Sequence, residues 1–91
     1  MAITVKLPTQ LRDAAANQTE AQVDGATVGE ALDNLYSRHG ELRSRMADDG
    51  GGLRRFVNVY LGGEDIRFLD GLETPVSDGD ELTILPAVAG G

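Results

Sequence analysis

The residues whose types and spacing suggest chemistry stand together at the carboxyl end, in Glu81-Leu82-Thr83-Ile84-Leu85-Pro86-Ala87-Val88-Ala89-Gly90-Gly91. The group on offer there is the carboxylate of Gly91. A carboxylate is a poor electrophile, so chemistry at this position requires another protein to turn one of its oxygens into a leaving group. The residues before it suit such a delivery. Gly90 and Gly91 have no Cβ and accept almost any backbone angle, while Ala87, Val88 and Ala89 are slim and uncharged. We expect residues 87–91 to form a flexible tail, with Ala87, Val88, Ala89 and Gly90 threading a partner's active site and Gly91 reacting there. The run Leu82 to Leu85, short, apolar and partly β-branched, reads as a buried strand that holds the root of this tail. Pro86 is expected to end its pairing.

No other constellation in the chain promises catalysis. There is no cysteine, so a thiolate nucleophile, a disulfide and thiolate metal ligation are absent from the sequence. His39 is the only histidine and falls where a helix should end, which suits capping better than a metal site or a catalytic base. Gly50-Gly51-Gly52 lacks the lysine and the Ser or Thr that follow a phosphate loop. Asp78-Gly79-Asp80 lacks the ligand spacing of a calcium loop. We therefore expect no catalytic residues, no metal and no bound cofactor, and a protein that is a substrate for enzymes rather than an enzyme.

Charge points the same way. Fifteen acidic against eight basic residues give a formal charge of -7, which repels phosphate backbones and anionic lipid and favours a protein partner with a basic face. Nucleic acid and membrane are not expected as partners. With no leader-like segment and no apolar run approaching the roughly 20 residues of a membrane span, a cytoplasmic location is expected. A chain of 91 residues suits one domain, 1–91, with one modest core.

The elements that must position the tail follow from periodicity. Ala2 to Leu7 alternates, with Ile3, Val5 and Leu7 on one face; Thr19 to Val23 repeats the pattern with Ala21 and Val23, and the two are expected to pair as an antiparallel hairpin. Residues 11–18 show no clear period and read as a surface connection. Thr27-Val28-Gly29-Glu30 fits a capping box. Val28, Ala31, Leu32, Leu35 and Tyr36 then form one apolar stripe, which predicts a helix lying across a sheet, closed by His39 and a left-handed Gly40. Glu41 to Ala47 fits a short second helix, and Asp48 to Gly52 a flexible, insertion-tolerant loop. Phe56 to Leu61 alternates as a strand, Gly62-Gly63 reads as a tight hairpin turn, and Ile66-Arg67-Phe68 as a very short edge strand. Ser77-Asp78-Gly79-Asp80 reads as a turn whose carboxylates bond local amides. Of the large side chains without an obvious place in the core, Phe56, Tyr60, Phe68 and Leu85 are the candidates for a partner-facing apolar patch beside the tail, rimmed by Asp and Glu.

The predicted order is strand, strand, helix, strand, short strand, strand, an α+β mixed sheet of four to five strands under one main helix. On Arg55-Phe56-Val57-Asn58-Val59-Tyr60-Leu61, on Glu64-Asp65-Ile66-Arg67-Phe68, on Asp78-Gly79-Asp80 and on Leu85 to Gly91, the chain resembles the ThiS/MoaD-type ubiquitin-like sulfur carriers along its whole length, and among them those of actinobacterial cysteine biosynthesis. Two departures stand out. MoaD tails commonly carry adjacent prolines where this chain has Pro86-Ala87, and relatives usually have asparagine in the turn occupied by Gly62-Gly63. The resemblance implies a β-grasp fold and a carrier cycle. An ATP-dependent adenylating enzyme of the MoeB/ThiF type joins the Gly91 carboxylate to AMP, and a sulfur donor displaces AMP to leave a thiocarboxylate. A PLP-dependent cysteine synthase using O-phosphoserine accepts the sulfur, and a metalloprotease releases cysteine and restores the Gly-Gly end. Carriers for molybdopterin or thiazole synthesis and ubiquitin-like protein modifiers are the alternatives it leaves open.

Overall fold

The computed structural model describes residues 2–50, 52–55 and 57–86, the last without its side chain. The first strand, β1 (Ala2–Lys6), pairs antiparallel with β2 (Glu20–Asp24), setting Ile3 against Val23 and Val5 against Ala21. These four side chains point inward and are almost wholly buried. Between the strands the structure departs from the expected surface connection. Thr9–Ala15 is a 3-10 helix that buries Leu11, Ala14 and Ala15. It ends in two successive left-handed residues, Ala16 (φ 55°) and Asn17 (φ 62°). The segment had no visible period because a 3-10 turn repeats every three residues, and only Leu11 among its buried side chains is large.

The helix α1 (Val28–Arg38) starts as its capping residues require. Thr27 Oγ1 accepts a hydrogen bond from the Glu30 amide at 3.1 Å, and Glu30 Oε1 reaches back to accept from the amide of Ala26 at 3.1 Å, one residue earlier than in the standard box. Its stripe of Val28, Ala31, Leu32, Leu35 and Tyr36 is buried against the sheet. Gly25 lets the helix approach: a Cβ there would sit 2.6 Å from the Ala31 nitrogen. At the other end Gly40 is not a left-handed cap. His39, at φ -133° and ψ 79°, separates α1 from α2 (Gly40–Met46), which begins at once. Leu42 and Met46, both fully buried, explain the continuation, since only a second helix turns them into the core. Arg45 fastens α2 to the 3-10 helix through two 2.9 Å bonds to the Asp13 carboxylate, which hold that carboxyl below its usual range. The glycine-rich loop that follows is organised as well. Asp48 Oδ1 accepts from the amides of Gly50 and Gly52, each at 2.9 Å, closing a turn between the bridged residues Ala47 and Leu53.

The strand β3 (Val57–Leu61) turns through Gly62 (φ 58°) and Gly63 (φ 93°) into a two-residue β4 (Glu64–Asp65), the pair of positive φ values matching a type I′ hairpin. Ile66–Phe68 is a 3-10 turn rather than an edge strand. The cause is Asp65, whose Oδ1 accepts from the Arg67 amide at 2.9 Å and curls the chain away from the ladder. After a further 3-10 turn, Gly71–Glu73, the chain enters β5 (Glu81–Pro86). The sheet order is β2-β1-β5-β3-β4, with β5 parallel to β1 and antiparallel to β3. This is the mixed five-stranded sheet crossed by a helix that the β-grasp fold requires.

Candidate functional site at the end of the central strand

The turn that launches β5 is built from side chains as well as backbone. Asp80 Oδ2 accepts from the Ser77 amide at 2.8 Å, Asp78 Oδ1 accepts from the Ala2 amide at 2.7 Å, and Gly79 N–H donates to the Ala2 carbonyl at 2.8 Å. The two carboxylates of Asp-Gly-Asp thus close the turn and clamp it to β1, and Gly79 supplies the required φ of 88°. The strand is thereby started in register beside the first strand of the chain.

From that turn the strand runs outward in two stages. Glu81 pairs with Thr4 of β1, Leu82 and Thr83 lie between β1 and β3, and Ile84, Leu85 and Pro86 are paired only on the β3 side, Pro86 opposite Val57. Pro86, the last described residue of the strand, is thus itself paired. A residue without an N–H is tolerated there because no neighbouring strand stands on its β1 side among the described residues. The tail proposed from sequence, Ala87, Val88, Ala89, Gly90 and the reacting Gly91, lies outside the described residues.

The two faces of β5 differ sharply. Leu82 and Ile84 are at most 1% exposed, whereas Leu85 is 46% exposed on the outer face. The ladder register places Glu20, Lys6, Thr83, Tyr60 and Asp65 in one row across all five strands of that face, and puts Leu85 opposite Asn58. Leu85 and Tyr60 are thus diagonal neighbours, within reach of each other's side chains. Tyr60 is half-buried, and carboxylates stand at both ends of the row. Phe68 is 86% exposed at the end of the 3-10 turn beyond the edge strand, and Phe56 lies outside the described residues. Thr83, Asn58 and Lys6 were not singled out from sequence, although strand parity with Leu85 and Tyr60 carries the signal for the first two. Lys6 Nζ sits 3.6 Å from Glu81 Oε1, both side chains about half exposed.

Across the molecule the described residues hold no group of three His, Cys, Asp or Glu able to bind a metal. No helix among them is long and apolar enough to cross a membrane.

Comparison with known proteins decides the family. The ThiS family model matches residues 5–91, from the middle of β1 through the two final glycines. The chain belongs to the ThiS family. The sulfur carrier protein CysO of Mycobacterium tuberculosis is 43% identical over the full length of both chains. In the crystal structure of the Amycolatopsis orientalis BexX/CysO complex, a chain 49% identical superposes with a TM-score of 0.91, covering 99% of this chain and all of that one. Small archaeal modifier protein 1 of Haloferax volcanii is 41% identical over 94% of this chain and 97% of its own. These ThiS-family relatives share the ubiquitin-like β-grasp of this chain, and their names describe carriers and modifiers.

Proposed function

We propose that this ThiS-family protein carries sulfur on its carboxyl terminus for cysteine synthesis. The Gly91 carboxylate attacks the α-phosphorus of ATP in a MoeB/ThiF-like partner, releasing pyrophosphate and leaving an acyl adenylate. A sulfur nucleophile then attacks the acyl carbon, AMP departs, and a thiocarboxylate remains. Its sulfur adds to the electrophile that a PLP-dependent cysteine synthase makes from O-phosphoserine. The resulting thioester rearranges to an amide at Gly91, which a metalloprotease hydrolyses to free cysteine and the original carboxylate. Tethering sulfur to a protein raises its local concentration in the acceptor's site and avoids free sulfide. The chain itself supplies the delivery: a rigid strand clamped at its start by Asp78 and Asp80, a slim tail, and an outer face bearing Leu85 and Tyr60 for docking, with Phe68 and Phe56 as further contacts.

The observation that carries this reading is the 43% identity to CysO over the full length of both chains, with the family match running through Gly91. The test is intact mass spectrometry after incubation with ATP, a sulfide source and the adenylating enzyme, followed by cysteine synthase and O-phosphoserine. Replacement of one oxygen by sulfur and then a cysteinyl adduct is expected. Replacement without the adduct moves the acceptor to molybdopterin or thiazole synthesis, and deletion of Gly91 without loss of activation would end the carrier reading. A second reading, protein modification, is favoured by the identity to small archaeal modifier protein 1. It predicts an isopeptide from Gly91 to a substrate lysine. Lys6 is the only lysine in the chain, so chains of this protein would have only Lys6 and the amino terminus to grow on.

A further inference from the structure

On the opposite side of β3 from Tyr60, the inward-facing Val57 and Val59 form, with Ile66 and Leu72, the apolar floor of a cleft of about 290 Å³. Its rim carries Arg54, Arg55 and Arg67. In a chain with fifteen acidic and eight basic residues, three of the eight basic residues surround this one depression, and no carboxylate among the described residues lines it. Two of the three guanidiniums, those of Arg54 and Arg67, are held by a partner, and Arg54 also borders a second depression lined by Asp33, Asp48 and Asp49. Arg54 Nε donates to the Ser44 carbonyl at 3.1 Å, Arg67 Nε lies 3.7 Å from Asp65 Oδ1, and all three arginines are exposed. The cleft also borders the root of the tail, since Val57 is the ladder partner of Pro86.

An apolar floor of this size accepts one aliphatic side chain, and a rim of guanidiniums presents fork-shaped donors suited to carboxylates. We infer that this cleft docks an acidic segment of a partner protein, one aliphatic side chain entering between Val57, Ile66 and Leu72 while flanking carboxylates pair with Arg54, Arg55 and Arg67. The site is independent of any sulfur chemistry. It also reverses the expectation from net charge, which favours a basic partner face: the overall charge is acidic, but the surface beside the strand end is locally cationic. A partner that held both the cleft and the outer face would grip β3 from its two sides and leave the end of β5 between them.

The experiment is a titration of the full chain, with labelled methyl groups followed by NMR, using a blocked Asp-Glu-Leu-Asp-Glu peptide and its uncharged Asn-Gln-Leu-Asn-Gln counterpart. Saturable shifts at the methyls of Val57, Val59, Ile66 and Leu72 are expected, weakening as salt is raised. The uncharged peptide should bind about tenfold more weakly, the product of three roughly twofold contributions from exposed ion pairs. The combined Arg54→Gln, Arg55→Gln and Arg67→Gln variant should lose the same factor for the acidic peptide and nothing for the uncharged one. Because the two peptides are compared on the unaltered protein, the result does not depend on that variant folding. Equal affinity for both peptides, or shifts centred on Tyr60 and Leu85, would overturn the proposal. So would movement of the cleft methyls when residues 87–91 are removed, which would make the chain's own tail the occupant.

Discussion

Leu82 and Leu85 are three residues apart in one strand and have the same side chain, yet one is fully buried and the other is 46% exposed. Leu82 lies between Val5 of β1 and Leu61 of β3, on the face that α1 covers. Leu85 lies past the end of β1, on the face that nothing among the described residues covers. The central strand of this fold is therefore both a keystone and a display. Its inner face pins the sheet to the helix, while its outer face and the edge beyond Thr83 are left uncovered among the described residues.

The largest expected effect breaks the inner face. Leu82→Ala should cost roughly 3 kcal/mol, within the usual range for a fully buried leucine, read as a lowered midpoint in urea unfolding with an unchanged slope. A loss below about 1 kcal/mol would mean that the core relaxes around the cavity.

A second test uses pH on the same side of the molecule. Tyr36 stands on the buried face of α1, and its hydroxyl is pushed from 10 to about 12, first by burial and then by the Asp33 charge, against a smaller opposing pull from Arg43. The folded state thus holds this proton more tightly than the unfolded chain. Its contribution is complete below pH 10 and is lost as pH rises from there towards 12, on the order of 2 kcal/mol in all. Tyr36→Phe should flatten this alkaline loss in unfolding curves recorded across that window, and an unchanged slope would refute the assignment.

Smaller still is the cap that starts α1. Thr27→Ala removes the acceptor of the Glu30 amide and should cost about 1 kcal/mol, measured by thermal unfolding, with Thr27→Ser recovering most of it. The smallest effect on stability is expected at the display face. Leu85→Ala should change unfolding by no more than about 0.5 kcal/mol while weakening association with the adenylating partner, seen as a raised KM for the carrier. If stability fell and KM held, Leu85 would belong to the core, and the contrast with Leu82 would disappear.

Much of this was legible in the chain itself. The capping box, the stripe of α1, the alternation of β1 and β3, the Gly62-Gly63 hairpin and the Asp80 bond to the Ser77 amide are local patterns, and each is realised in the structure. Their cause lies within a few residues: a side chain and an amide three positions apart, or a period that matches one kind of backbone. The expectation of a reacting Gly-Gly end came from residue type and order alone, at residues outside those the structure describes, and the family match spans residues 5–91. What the patterns missed had two sources, a local side-chain bond that composition hides and contacts distant in sequence. Asp78, expected to bond a local amide, instead reaches the Ala2 amide at the far end of the chain. Ile66–Phe68 reads as a strand by composition, but Asp65 turns it into a 3-10 helix. The second helix was expected from Leu42 and Met46, but Gly40 begins it instead of closing α1 as a left-handed cap. Pro86 looks like a terminator, yet it is itself paired, on the β3 side alone among the described residues. The separation of Leu82 from Leu85, and the gathering of three arginines around one cleft in an acidic chain, arise in the same way. Sequence dictates which way each side chain can point along its own strand, and only the assembled sheet decides what stands on the other side.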